Sequence, residues 1–116
     1  MSDIIRHFRP GVTRARAVIH DGRVYTVATS PLKSKSMEEQ TREALKQIDA
    51  HLAEAGTDKS RLLSVSVYIT DMSKKAEMNK AWDAWIDPAN PPQRACMGVQ
   101  LEGDDLVEFV VVAALP

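Results

Sequence analysis

The sequence predicts a single α+β domain of element order ββαβαββ, a mixed sheet with both helices on one face. Three observations predict it: a period-two apolar run at 63–69, stretches of helical periodicity on either side of it, and an Asp-Gly dipeptide between two β-rich segments near the N-terminus. With 116 residues, 44% of them hydrophobic, the chain can build one core and is short for two, so 1–116 is read as one domain.

Taken in order, Ala17–His20 and Arg23–Ala28 flank Asp21-Gly22, a pair that tolerates positive φ and suits a tight hairpin turn. Ser36 followed by Glu39 makes a capping-box pattern, after which Met37, Thr41, Ala44, Leu45, Ile48, Leu52 and Ala55 recur at helical spacing up to Gly56. From Leu63 the period becomes two, with Leu63, Val65, Val67 and Ile69 on one face and Ser64, Ser66 and Tyr68 on the other. Ser73 offers the N-cap of a second helix. Its stripe is Met78, Ala81, Trp82 and Trp85, read as packing residues, and it must end before Pro88. Two strand-like runs, 95–101 and 105–114, close the chain around Glu102-Gly103-Asp104. With helices on one side only, the other side of the sheet is uncovered in a monomer, and a symmetric oligomer is the simplest cover.

Composition narrows the function classes. A formal net charge of -1 gives no general attraction to nucleic acid or anionic lipid. The charge is uneven: residues 1–35 hold seven basic side chains against Asp3 and Asp21, a local +5, and the remaining 81 residues sum to -6. A solvated basic face and an anion-attracting mouth both fit this excess. One cysteine, Cys96, cannot form an intramolecular disulfide, no run is long enough to span a bilayer, and no apolar signal region opens the chain, so a cytoplasmic protein is expected. His7, His20 and His51 share no ligand spacing and no Gly-rich phosphate loop is present, so neither a metal nor a nucleotide cofactor is expected.

Glu108 stands out as a carboxylate inside the apolar run 106–112, where it needs a cation, a hydrogen-bond network or solvent. Arg94, at the start of the preceding strand-like run, is a candidate partner. If those two runs form a hairpin with a three-residue loop at 102–104, Gly98 lies across from Glu108. Arg94, Cys96, Gly98, Glu108 and Val110 then share a face, and the glycine leaves an open volume beside the carboxylate. A four-residue loop or a bulge moves Glu108 to the other face from Arg94. An exposed edge position for Glu108, a surface salt bridge for Arg94 and an inert core thiol for Cys96 remain the plainer alternatives.

Pro92-Gln93-Arg94-Ala95-Cys96 followed by Leu106-Val107-Glu108-Phe109-Val110 closely resembles the C-terminal signature of the RidA/YjgF family. Glu39–Arg42, Leu52–Gly56, Tyr68–Met72 and Met78–Trp82 extend the resemblance over nearly the whole chain. It implies a chorismate-mutase-like subunit, a homotrimer with a barrel-like centre, and ligand clefts between neighbouring subunits. It also implies cofactor-free hydrolysis of enamines and 2-imino acids to 2-oxo acids and ammonia. By position, Arg94 matches the arginine that binds the substrate carboxylate, Cys96 and Asn79 match cleft residues, and Glu108 matches the acid associated with the hydrolytic water. The chain departs from the family pattern at Thr13 to Arg16, where a Tyr-Ser pair is common, and at Val27-Ala28-Thr29, where a Gly-containing triplet is common. Ala28 and Thr29 are thus expected to line the substrate site with altered shape, and Arg14 or Arg16 to add charge.

Three functions follow as expectations. An imine deaminase would use Arg94 to grip the carboxylate and Glu108 to orient or activate water. A non-catalytic binder of small carboxylate metabolites would use Arg94 alone. RNA binding or cleavage draws on ribonuclease reports for the wider family and on the basic N-terminal third, but no aromatic platform or basic stripe accompanies that charge.

Overall fold

The computed structural model describes residues 3–33 and 36–116. Strands β2 (Ala17–His20) and β3 (Arg23–Thr29) form the first hairpin, turning at Asp21 and Gly22 with φ of 49° and 75°. Positive φ at both central residues matches the twist of the flanking strands, which is what the Asp-Gly pair predicts. A short strand that the periodicity does not reveal, β1 (Ile5–His7), pairs antiparallel with β2.

Helix α1 runs over Met37–Ala55, with the Ser36 hydroxyl accepting from the Glu39 N–H at 3.2 Å. It stops at Gly56, whose φ of 90° lets its own N–H and that of Thr57 return to the carbonyls of Ala53 and Leu52. Its buried stripe contains Met37, Thr41, Ala44, Leu45, Ile48 and Leu52, as the spacing predicts, and also Gln40. The second helix, α2 (Lys75–Trp85), begins one residue later than a cap at Ser73 would place it. Asp71 accepts from the Ser73 N–H and hydroxyl, and a 3-10 turn over Met72–Lys74 leads into the helix.

Strand β4 (Leu62–Ile69) buries Val65, Val67 and Ile69 but leaves Leu63 46% exposed. The expectation of Leu63 on the core face fails because the register against β6 shifts between Leu62 and Ser64, putting Leu62 into the core. Strands β5 (Gln93–Gly98) and β6 (Val107–Ala114) complete a six-stranded sheet in the order β1-β2-β3-β6-β4-β5.

That order overturns the C-terminal hairpin. Strand β5 pairs parallel with β4, and β6 lies between β3 and β4, antiparallel to both. The unit β4-α2-β5 is a strand-helix-strand crossover, and such units set parallel strands side by side. The nearly unbroken apolar run of β6 suits a strand flanked on both sides, whereas the polar start of β5 after Pro91 and Pro92 suits an edge.

Both helices cover the same face. Phe109, the largest fully buried side chain, stacks on Trp82 of α2 at 6.1 Å and 11°, and Trp82 tilts against Trp85 at 5.6 Å. Trp85 donates its Nε1–H to Asp49 of α1 at 2.9 Å, so the two tryptophans hold the helices to each other and to the sheet. The opposite face carries Tyr25, Val27 and Val110, 45%, 37% and 39% exposed in the single chain. No described helix is long and apolar enough to cross a membrane.

Candidate functional site

Arg94 and Cys96 keep the period-two relation expected of them and share a face, and the pairing of β5 with β4 decides which. Arg94 is in register with buried Val65, and Cys96 with buried Val67, so both side chains lie on the helix side at the edge of the sheet. The Arg94 guanidinium sits 5.2 Å from the centre of the Trp82 ring, and its Nη1 donates weakly to the Met78 Sδ at 3.8 Å. A guanidinium over an indole face is held at about 0.5–2 kcal/mol while its outer N–H groups stay unused. Arg94 is half-buried and forms no ion pair among the described residues. Asn79, also half-buried, directly follows Met78 on α2. The half-buried Cys96 thiol packs against the hydrophobic core.

Glu108 is on the other face. It is in register with Thr29 of β3 on one side and Tyr68 of β4 on the other, and its neighbours along β6, Val107 and Phe109, are fully buried. Side chains so paired have Cβ atoms about 5 Å apart, which groups the Glu108 carboxylate, the Tyr68 phenol and the Thr29 hydroxyl on the open face. Glu108 has no ion-pair partner among the described residues. The common face for Arg94 and Glu108 is therefore corrected: within one chain they lie on opposite faces, with β4 between their strands. Gly98 is opposite Ile69 rather than Glu108. The Met72 side chain takes up the space beside it, Cγ lying 2.9 Å from where a Cβ would be, so no open volume adjoins the carboxylate there.

Of the two altered positions in β3, only Thr29 faces Glu108. Ala28 is 6% exposed and in register with buried Phe109, so its methyl group belongs to the core rather than to a cleft on the open face. Thr29 accepts a hydrogen bond from Lys33 Nζ at 3.3 Å, and Lys33 pairs with Asp105. These loops are held from below by Gln40. Its side-chain amide, fully buried, donates to the carbonyls of Lys33 and Asp104 at 2.8 and 3.0 Å and accepts from the Leu106 N–H at 2.9 Å.

A second charged group fastens the segment before β2 to α1. Arg16 donates to both Glu54 carboxylate oxygens at 2.9 and 2.6 Å, and His7 Nδ1 approaches the same carboxylate at 3.4 Å. Hydrogen bonding to Arg16 holds the Glu54 carboxyl below its ordinary range. The Thr26 hydroxyl gives its proton to the Arg16 carbonyl at 2.6 Å, so the contact of 3.0 Å to His51 requires His51 Nδ1–H to donate. Burial, and then the Arg16 charge, push the His51 pKa below its ordinary value. A depressed histidine favours the folded state above its unfolded pKa of about 6.5 and loses that contribution as pH falls through the folded value. Wild type should therefore lose thermal stability as pH falls below about 6.5, and His51→Gln should lose less over the same range. Parallel slopes for the two proteins in a calorimetric pH series would assign the effect elsewhere.

Among the described residues, no three His, Cys, Asp or Glu side chains converge where a metal could sit.

Comparison with known proteins bears on this arrangement. A family profile described as Endoribonuclease L-PSP matches residues 2–115. A RutC family protein of Haemophilus ducreyi is 39% identical over 103 residues, 87% of this chain and 88% of that protein. The RutC family protein YoaB of Escherichia coli strain K12 is 35% identical over 99 residues, 84% of this chain and 87% of its own length. A crystal structure from Neisseria meningitidis, described as a member of the YjgF protein family, superposes with a TM-score of 0.91 at 33% identity, covering 98% of this chain and 96% of that one. An uncharacterized protein from Pseudomonas aeruginosa superposes at 0.92 with 32% identity, over 98% and 100% of the two chains. The chain belongs to the RidA/YjgF family.

Membership carries the chorismate-mutase-like α+β fold with it, and the sheet and two helices agree. Within this RidA/YjgF chain, Tyr68 and Gln40 are the residues that sequence reasoning passed over. Tyr68 could have been found as the one aromatic residue on the polar side of β4, once β6 is recognised as its neighbour. Gln40 carries a weaker signal, a polar residue beside the apolar stripe of α1.

Proposed function

We propose that the protein hydrolyses 2-imino acids to 2-oxo acids and ammonia, without a cofactor, in a homotrimer whose clefts join Arg94 of one subunit to Glu108 of the next. The observation that carries this reading is Arg94: a half-buried guanidinium steadied by Trp82 and Met78, with no carboxylate partner among the described residues. An arginine held in this way is ready for an external carboxylate, which it can grip with two charge-assisted hydrogen bonds. Cys96 and Asn79 lie on the same side and would border the bound acid.

The separation of Arg94 from Glu108 supports a shared site. Arg94 is on the edge strand β5 and Glu108 on β6, two strand spacings or roughly 10 Å away, with their side chains on opposite faces. In a closed ring each subunit offers one surface to its left neighbour and a different one to its right, so groups remote in one chain can meet across the contact. The apolar open face around Tyr25, Val27 and Val110 is the surface such a ring would cover.

In the reaction, the Arg94 fork fixes the carboxylate and so the adjacent C=N carbon. Glu108 takes a proton from water as its oxygen bonds to that carbon. Protonation of the nitrogen and collapse of the tetrahedral adduct then break the C–N bond, so imine plus water give 2-oxo acid plus ammonia. Imines hydrolyse unaided, and positioning is most of what a protein must add.

The test generates 2-iminopropanoate or 2-iminobutanoate in situ with an amino-acid oxidase and follows ammonia release, with sedimentation to establish the oligomer. Glu108→Gln should lower kcat by about 10²–10⁴-fold, the range of a general base, while 2-oxo acid binding persists. A wild-type rate no greater than that of buffer would overturn the proposal. A binder without turnover is the second reading, favoured by the opposite-face placement of Arg94 and Glu108 in the single chain. Under it, Arg94 substitutions abolish 2-oxo acid binding and Glu108→Gln changes nothing measurable.

A further inference from the structure

The segment between β1 and β2 borders a concavity of about 270 Å³ lined by Phe8, Arg9, Val12, Arg14, Arg16 and Val27. Three of its lining side chains are guanidinia and none is a carboxylate. Arg16 is engaged by Glu54, but Arg9 and Arg14 form no ion pair among the described residues and are exposed. Like charges gathered at one opening repel, and an incoming anion relieves that repulsion while gaining forked hydrogen bonds. The apolar side is open as well, with Phe8 55% and Val12 40% exposed. The site therefore suits an organic anion with a short carbon chain better than a bare inorganic ion.

Its position gives this chemistry a role. Val27 belongs to the concavity and also to the open face of β3, where it is in register with Val110. Two residues further along each strand, on the same face, stand Thr29 and Glu108. A ligand whose reacting carbon lay at Glu108 could thus extend along the strand toward Arg9 and Arg14, roughly 7 Å per two residues.

We propose that this pocket receives a second anionic group on the substrate, and that the preferred substrates are dianionic 2-imino acids, the imines of acidic amino acids. The inference rests on the imine-hydrolysis reading, in which Arg94 of the adjoining subunit takes the α-carboxylate. The basic loop would then supply specificity: the distal carboxylate meets Arg9 and Arg14, and an uncharged aliphatic side chain leaves them unpaired. The local +5 of the first 35 residues takes on a location and a partner in this account.

The experiment measures kcat/KM for 2-iminosuccinate and 2-iminoglutarate against 2-iminobutanoate, each generated in situ, for wild type and for the Arg9→Ala/Arg14→Ala double variant. Wild type should favour the dianionic imines, and the double variant should lower the dianionic-to-monoanionic ratio by about 10–100-fold, the range expected for a lost charge-assisted hydrogen bond. Hydrolysis of all three imines with an unchanged ratio would overturn the inference and leave the imine reading standing. Calorimetric titration with 2-oxoglutarate and 2-oxobutanoate decides the matter if no imine is turned over. Tighter 2-oxoglutarate binding that is lost in the double variant upholds the pocket although hydrolysis fails, and equal affinities sink it. Binding of a fluorescein-labelled single-stranded RNA that the double variant abolishes, with no preference among the oxo acids, would make the basic loop a nucleic-acid surface and overturn the proposal.

Discussion

Replacing Arg94 with alanine should lower kcat/KM for 2-imino acids by about 10²–10⁴-fold. Two charge-assisted hydrogen bonds to the substrate carboxylate, each worth about 1.5–3 kcal/mol, give roughly 3–5 kcal/mol once overlap between them is allowed for. Each 1.36 kcal/mol is about one factor of ten. The loss should fall on KM and kcat together, because the carboxylate contact both holds the substrate and aims its C=N carbon. Arg94→Lys should recover only part of it, since an ammonium keeps the charge without the fork and fits the Trp82 face less well. Steady-state ammonia release with each variant, and calorimetric binding of 2-oxobutanoate, check the two halves of the effect. Equal kcat/KM for wild type and Arg94→Ala would end the functional account. The fold should survive the change, because Arg94 is at the sheet edge and the stack of Trp82 on Phe109 does not depend on it.

Gln40→Leu is expected to be the most damaging change to stability, by about 3–5 kcal/mol. The side chain is fully buried and makes three hydrogen bonds, two to the carbonyls of Lys33 and Asp104 and one from the Leu106 N–H. Leucine fills a similar volume but leaves three backbone groups unpaired, at about 1–3 kcal/mol each, with water reaching some of them in the loops. Urea unfolding monitored by tryptophan fluorescence measures the loss. A change under about 1 kcal/mol would mean that the loops re-form their bonds with solvent. The same substitution should reach the open face, since Lys33 bonds to Thr29 and pairs with Asp105, and Thr29 adjoins Glu108.

Where local chemistry controls structure, it was readable in advance. Asp21-Gly22 turns, Ser36 caps and Gly56 stops because each residue meets a backbone demand in its own neighbourhood. The stripe from Met37 to Leu52 is buried because helical geometry puts those positions on one side wherever the helix docks. Leu63 was not readable, since a bulge depends on the partner strand. The register of 95–101 against 105–114 was not readable either, because pairing of sequence neighbours is a tendency that the β4-α2-β5 crossover overrides here. The unbroken run in β6, compared with the polar start of β5, was the available hint.

The sequence by itself determined the α+β class, the two helices, the first turn, the family and the unusual residues Arg94 and Glu108. Tertiary structure alone decided that β6 separates β4 from β3, that Arg94 rests on Trp82 and that Glu108 stands between Thr29 and Tyr68 on the other face. The physical reason is that turns, caps and periodicity act over a few residues. The choice of strand neighbours is instead made by competition among distant apolar surfaces for one core, and moving a strand to a new neighbour redraws which side chains meet.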